Sequence, residues 1–112
     1  MKETIHFLKE LKIVFEFIYD NNQKLSKMEE GHGSVLDNTC VFYGSSNSKT
    51  HNNTNYPLIL AGGKEMGYKH GKYQVFDKDV PLANLFVTMQ KRMGLKADSF
   101  ADSSGDLDLF LL

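Results

Sequence analysis

Residues 39–63 read TCVFYGSSNSKTHNNTNYPLILAGG, and this stretch decides the fold class. Thr39 to Gly44 is a short apolar run rich in β-formers. Pro57 to Ala61 is a second such run, closed by Gly62-Gly63. Apolar runs of this length without alternation suit strands buried on both faces. Between them, Ser45 to Asn55 is polar throughout. Buried strands bracketed by helices follow α/β logic, in which parallel strands are covered by helices. The expected order is helix, buried strand, polar loop, buried strand, small hairpin, helix.

Upstream, residues 4–27 carry an amphipathic helix. Leu8, Leu11, Phe15 and Ile18 recur at steps of three and four, and Ile5 and Leu25 continue the stripe. Phe7, Val14 and Phe17 widen the apolar face, which predicts burial against something large or a partner-binding helix. Asn21-Asn22 weakens the helix, and Gly31-His32-Gly33 ends it in a turn. Downstream, GYKHGKYQVF (67–76) predicts a hairpin turning at His70-Gly71. Pro81 opens the last helix, a position proline tolerates well. Leu82, Leu85, Phe86, Met89 and Met93 mark its buried face. Gly94 is its left-handed cap, with Leu95 placed to pack back. The tail is irregular, and Leu109 to Leu112 is apolar enough to dock.

The chain has 112 residues, 41% hydrophobic and 24% charged, which is globular composition. A net charge of −1 implies no broad attraction to nucleic acid or anionic lipid. Lys9, Glu10, Lys12 and Glu16 interrupt every window long enough for a signal peptide or a membrane span. Any export signal is expected upstream. The single cysteine, Cys40, excludes an internal disulfide framework and reads as a small hydrophobe within a strand. The predicted strands and helices do not close a sheet, and an isolated two-stranded piece is marginal in water. The expectation is therefore one C-terminal fragment, residues 1–112 without an internal boundary. Its partner is the N-terminal part of the same protein.

Four stretches carry a resemblance. They are Gly33 to Thr39 (GSVLDNT) running into VFYGS, His51 to Gly63 (HNNTNYPLILAGG), Pro81 to Gly94 (PLANLFVTMQKRMG), and Phe100 to Gly105 (FADSSG). Their order and spacing over roughly residues 12–106 resemble the C-terminal region of a bacterial exported family catalogued as domain of unknown function 1552. That family is distantly similar to the alkaline-phosphatase and sulfatase superfamily, where a strand preceded by Asp-Asn-Thr ends in a Ser-Asp-His-Gly type motif that binds a divalent metal. By position, Ser46 stands where the Asp of that motif would be, and Asn47 where the His would be. A hydroxyl and an amide do not replace a carboxylate and an imidazole for zinc, and serve at most as weak oxygen ligands for calcium or magnesium. Of the family's His-x-His, His51 is kept and the second position is Asn53. Gly71-Lys72-Tyr73 stands in place of a Gly-Arg-His.

His51 is the leading candidate for a ligand or general acid/base. In an open parallel sheet its loop would lie at the carboxyl edge of the strands, where ligands collect. Its bland alternative is a solvated loop histidine. Asn53, Asn47 and Ser46 are candidate ligands on the resemblance alone. Asp37 reads as the cap of the turn into the strand. Pro57, Gly62, Gly63, Pro81 and Gly94 read as structural. Ser45 to Ser48 has the composition of an anion-binding loop or a plain one. His6, His32 and His70 show no metal-like spacing, and the chain carries no P-loop, zinc-finger spacing or Gly-x-Ser-x-Gly elbow. Asn52-Asn53-Thr54 matches the glycosylation triplet. Two functions follow as expectations. One is a non-catalytic C-terminal module of a degenerate alkaline-phosphatase-like protein, periplasmic or extracellular by resemblance. The other is part of a metal-dependent phosphate or sulfate ester hydrolase, its nucleophile and other ligands lying upstream.

Overall fold

The computed structural model describes residues 2–44, 57–76 and 78–112, with side chains described from Lys12 onward except Val14. They form two compact units, Met1–Gly62 and Gly63–Leu112. The sequence marks no composition change at that division. Both units mix helix with strand or irregular chain, and the sheets are two separate antiparallel pairs.

In the first unit, α1 runs Lys2–Lys27, with Lys24 and Lys27 in the last turn where cations complement the helix dipole. Strands β1 (Glu29–Glu30) and β2 (Gly33–Ser34) then pair across the two-residue turn Gly31-His32, Glu30 opposite Gly33. Gly31 takes φ 59°, the positive value that tight hairpin turns require. Val35 N–H donates to the Met28 carbonyl at 2.7 Å and extends the ladder. A short 3-10 turn, Leu36–Asn38, leads into β3 (Cys40–Gly44). α1 packs on β2 and on this turn. Ile18, Asn22 and Leu25, spaced at helical steps, are half-buried on α1.

Strand β3 pairs with β4 (Leu58–Gly62) in antiparallel register, Cys40 opposite Gly62 and Gly44 opposite Leu58. This corrects the expectation of parallel strands buried on both faces. Among the described residues each strand has one neighbour, and the paired residues are half-buried or exposed, with Tyr43 and Leu58 each 39% exposed. A short apolar run does not carry the direction of its partner. A parallel pair needs a crossover of a dozen or more residues, usually a helix.

The second unit opens with a 3-10 turn, Lys64–Met66, between Gly63 (φ 69°) and Gly67 (φ 92°). The hairpin expected over 67–76 is not formed, because no strand pairing occurs there. Lys69 N–H donates instead to the Leu111 carbonyl at 2.8 Å. Tyr68 is buried while Tyr73 is 93% exposed, so the segment has no apolar face to register a ladder. Helix α2 runs Leu82–Arg92 with Pro81 as its extended N-cap residue, one position before the first helical turn. It closes in a Schellman arrangement: Leu95 N–H reaches the Gln90 carbonyl at 3.0 Å and Gly94 N–H the Lys91 carbonyl at 3.1 Å. Gly94 sits at φ 84°. Leu95 remains 57% exposed and does not pack back.

The buried face of α2 differs from its apolar stripe. Ala83, Asn84, Leu85, Val87 and Thr88 are buried, Leu82, Phe86 and Met89 only half so, and Met93 is 67% exposed. The cause is the C-terminal segment, which lies along the polar side of α2 and ends in the single turn α3 (Asp108–Leu111). The apolar end docks in part: Leu107 and Phe110 to Leu112 are half-buried, and Leu109 is 87% exposed.

Candidate functional site

The densest polar cluster among the described side chains sits on α2. Asn84, Thr88 and Lys91 follow one another at i, i+4 and i+7, so they share one face of the helix. Each is met by the C-terminal segment. Asn84 Oδ1 accepts the Ser104 N–H at 2.9 Å, and its Nδ2 donates to Ser104 Oγ at 3.3 Å. Thr88 has no exposed surface. Its hydroxyl accepts from Leu107 N–H at 2.8 Å and donates to Asp108 Oδ1 at 2.8 Å. A buried hydroxyl satisfied in both its roles removes the penalty of burying it.

Lys91 closes the cluster. Its ammonium donates to Asp106 Oδ2 at 2.9 Å and to Asp108 Oδ2 at 2.6 Å. Asp106 Oδ1 also accepts the Asp108 N–H at 3.0 Å, which turns the chain into α3. The hydrogen bond from Lys91 holds the Asp106 carboxyl below its ordinary range, helped by the Asp108 amide. Hydrogen bonds to Asp108, then to Asp106, raise the Lys91 ammonium above its ordinary value. These three side chains keep 29%, 40% and 34% of their surface in solvent, so their mutual attraction is screened. Chemically the cluster is a set of matched donors and acceptors that fixes where the tail lies on α2.

The sequence candidates lie elsewhere. His51, Asn53, Asn47 and Ser46 fall outside the described residues. The geometric argument that put His51 at the carboxyl edge of a parallel sheet does not hold, because β3 and β4 are antiparallel. Asp37 is a cap. Its Oδ2 accepts the Ser34 N–H at 3.1 Å while Ser34 Oγ accepts the Asp37 N–H at 3.2 Å, a reciprocal pair across the 3-10 turn. Pro57 immediately precedes β4. Gly62 takes φ 73°, and a Cβ there would stand 2.1 Å from the Thr39 carbonyl oxygen. Gly63 lies against the Tyr68 ring. Cys40 is half-buried in β3, His32 is exposed in its turn, and His70 stacks on Tyr68 with ring centroids 6.2 Å apart. Among the described residues, no group of three or more His, Cys, Asp or Glu side chains converges to hold a metal ion. Among them too, no helix is long and apolar enough to cross a membrane.

Sequence reasoning passed over the α2 cluster. Asn84, Thr88 and Lys91 lie on the polar side of an amphipathic helix, which reads as a solvated face. The available signal was a match of two patterns: polar residues at i, i+4 and i+7 on the helix, and the alternation Ser104-x-Asp106-x-Asp108 in the tail. No family model, curated protein or solved structure matches the chain.

Proposed function

We propose that this chain is a non-catalytic packing module, the C-terminal part of a degenerate alkaline-phosphatase-like exported protein whose other α/β layers cover α1. One observation carries the proposal. Ile13, Phe15, Phe17 and Tyr19 on α1 are 65%, 50%, 70% and 64% exposed. At about 100° per residue Phe15, Phe17 and Tyr19 flank both sides of the half-buried stripe Ile18, Asn22 and Leu25, and Ile13 lies on the opposite face. A helix apolar on so much of its circumference belongs inside a larger fold. Covering such side chains yields roughly 25 cal/mol per Å² of apolar surface, which gives the rest of the protein a reason to dock there.

The α2 cluster supports the same reading. Its donors and acceptors are matched to the chain's own tail, which is the behaviour of a structural fastening. The family and the periplasmic or extracellular placement rest on the resemblance of residues 12–106.

The test is dye binding and sedimentation of the wild-type chain beside Ile13→Lys/Phe17→Lys. The wild type is expected to bind an apolar fluorescent dye and to self-associate. The double variant should lose most of both while keeping its helical circular dichroism. A wild type that stays monomeric and dark, or a variant that loses its helix, contradicts the proposal. Stoichiometric binding of a divalent metal that disappears in His51→Ala would support an ester hydrolase instead, with further ligands elsewhere in the parent.

A further inference from the structure

We propose that Phe100–Leu112 is a charge-locked strap, which lifts from α2 as a unit while α2 stays folded and so uncovers the Asn84–Thr88–Lys91 face.

The middle of the seam is polar. Ser104, Leu107 and Asp108 bond to Asn84 and Thr88, and Asp106 and Asp108 bond to Lys91. Ring contacts flank it: Phe100 meets the Phe86 ring of α2 edge-on at 6.0 Å, and Phe110 meets Phe76, which precedes α2, at 5.1 Å. Even there burial is partial, since Phe100 is 44% exposed and Leu109 87%. No residue of the strap is fully buried, Leu107 and Phe110 to Leu112 being half-buried, and a segment less buried than the core it rests on opens at a lower free energy.

The chain also supplies a hinge. Between the α2 cap and the strap, residues 96–99 have no regular structure and are exposed except Ala97. At the base of the strap Ala101 adopts φ 47°, a left-handed conformation that disfavours any side chain. That turn is held by Ser103, whose Oγ accepts the Phe100 N–H at 2.8 Å while its own N–H donates to the Phe100 carbonyl at 2.9 Å.

The lock is Lys91. Both carboxylates facing it, Asp106 and Asp108, come from the strap, and Asp106 and Lys91 each favour the charged form when the strap is down. Arg92, the neighbouring cation on α2, lies by Gly67 instead. Because these charges are partly in water, salt weakens them: the Debye length falls from about 30 Å near 0.01 M to about 3 Å near 1 M. The buried core of α2, made of Ala83, Leu85 and Val87, has no such sensitivity.

Amide hydrogen exchange of the full chain, resolved by residue at neutral pH, tests this. The reporters are the Leu107 and Lys69 amides, whose acceptors are Thr88 Oγ1 and the Leu111 carbonyl, against the α2 amides of Thr88 and Met89. Raising salt from about 0.01 M to about 1 M should speed Leu107 and Lys69 at least about fivefold relative to the α2 pair. Lys91→Met, which keeps the aliphatic stem, should exchange Leu107 fast at low salt and show no further salt response. Strap and α2 amides accelerating by one common factor would overturn the proposal, as would a Leu107 amide indifferent to salt. A salt response that survives in Lys91→Met would overturn the lock. Should that variant fail to fold, the wild-type comparison still decides.

Discussion

The hydroxyl of Thr88 lies 2.8 Å from Asp108 Oδ1 and is also the acceptor, at 2.8 Å, for the amide of Leu107. One side chain with no exposed surface thus fixes both the start of α3 and its carboxylate. Thr88→Val keeps the shape and removes both bonds. It leaves an amide and a carboxylate oxygen without their partner, at about 1–3 kcal/mol for each group that water does not reach. Thermal unfolding should fall by several degrees in Thr88→Val and much less in Thr88→Ser. Equal melting of the two variants would show that the hydroxyl is not the fastening.

The Lys91–Asp106 pair predicts a pH dependence for the tail's attachment. The Asp106 carboxyl is held below its usual 3.8 by Lys91, so its contribution is present above that value and is lost as pH falls through the lower folded value. Lys91 is raised above 10.5 by Asp108 and Asp106, so its contribution is complete below 10.5 and is lost at higher pH. Stability measured against pH should therefore decline on both sides of this window. Asp106→Asn should flatten the acid limb and Lys91→Met the alkaline limb. Unchanged limbs would assign them to other groups.

Two glycines with similar backbone angles should respond differently to alanine. Gly62 has φ 73° and a Cβ there would lie 2.1 Å from the Thr39 carbonyl oxygen and 2.8 Å from that of Leu36. Gly94 has φ 84° and open space around it. Gly94→Ala carries only the left-handed penalty, about 1–2 kcal/mol. Gly62→Ala adds a backbone clash that only strand displacement relieves, so denaturant titration should place it at least about 2 kcal/mol below Gly94→Ala.

The strands and helices differ in how much of them the sequence carried. Helix α1 was legible because its apolar side chains repeat at helical steps from residue 4 to 27, and the observed helix is Lys2–Lys27. The positions of β3 and β4 were legible from their apolar runs, but their antiparallel pairing was not, since the runs hold no record of direction. At 67–76 the turn signal His70-Gly71 suggested a hairpin, while the Lys69 amide found its acceptor at Leu111, far along the chain. The same distance hid the α2 cluster. Asn84, Thr88 and Lys91 become buried or paired through partners 15 to 20 residues away, which local periodicity does not register. The candidate ligand residues His51, Asn53, Asn47 and Ser46 came from motif position rather than from packing.

Asn22 offers a stabilising change. Its Oδ1 is buried with no hydrogen-bond partner among the described residues, and Asn22 lies in the half-buried stripe between Ile18 and Leu25. Asn22→Leu removes the unmatched acceptor and improves helix propensity, for a gain of about 1–2 kcal/mol. Chemical denaturation should show a higher midpoint at unchanged slope. A lower midpoint would mean that this acceptor has a partner when the chain is in solution.

The polar groups of α2 hold the tail, and a double-mutant cycle between Thr88 and Asp108 measures that most directly. Thr88→Val, Asp108→Ala and the double variant are unfolded alongside the wild type. Residues in one hydrogen-bonded network couple by about 0.5–3 kcal/mol, and a favourable coupling in that range is the predicted result. Additive effects, with no coupling, would contradict the clasp between α2 and the tail.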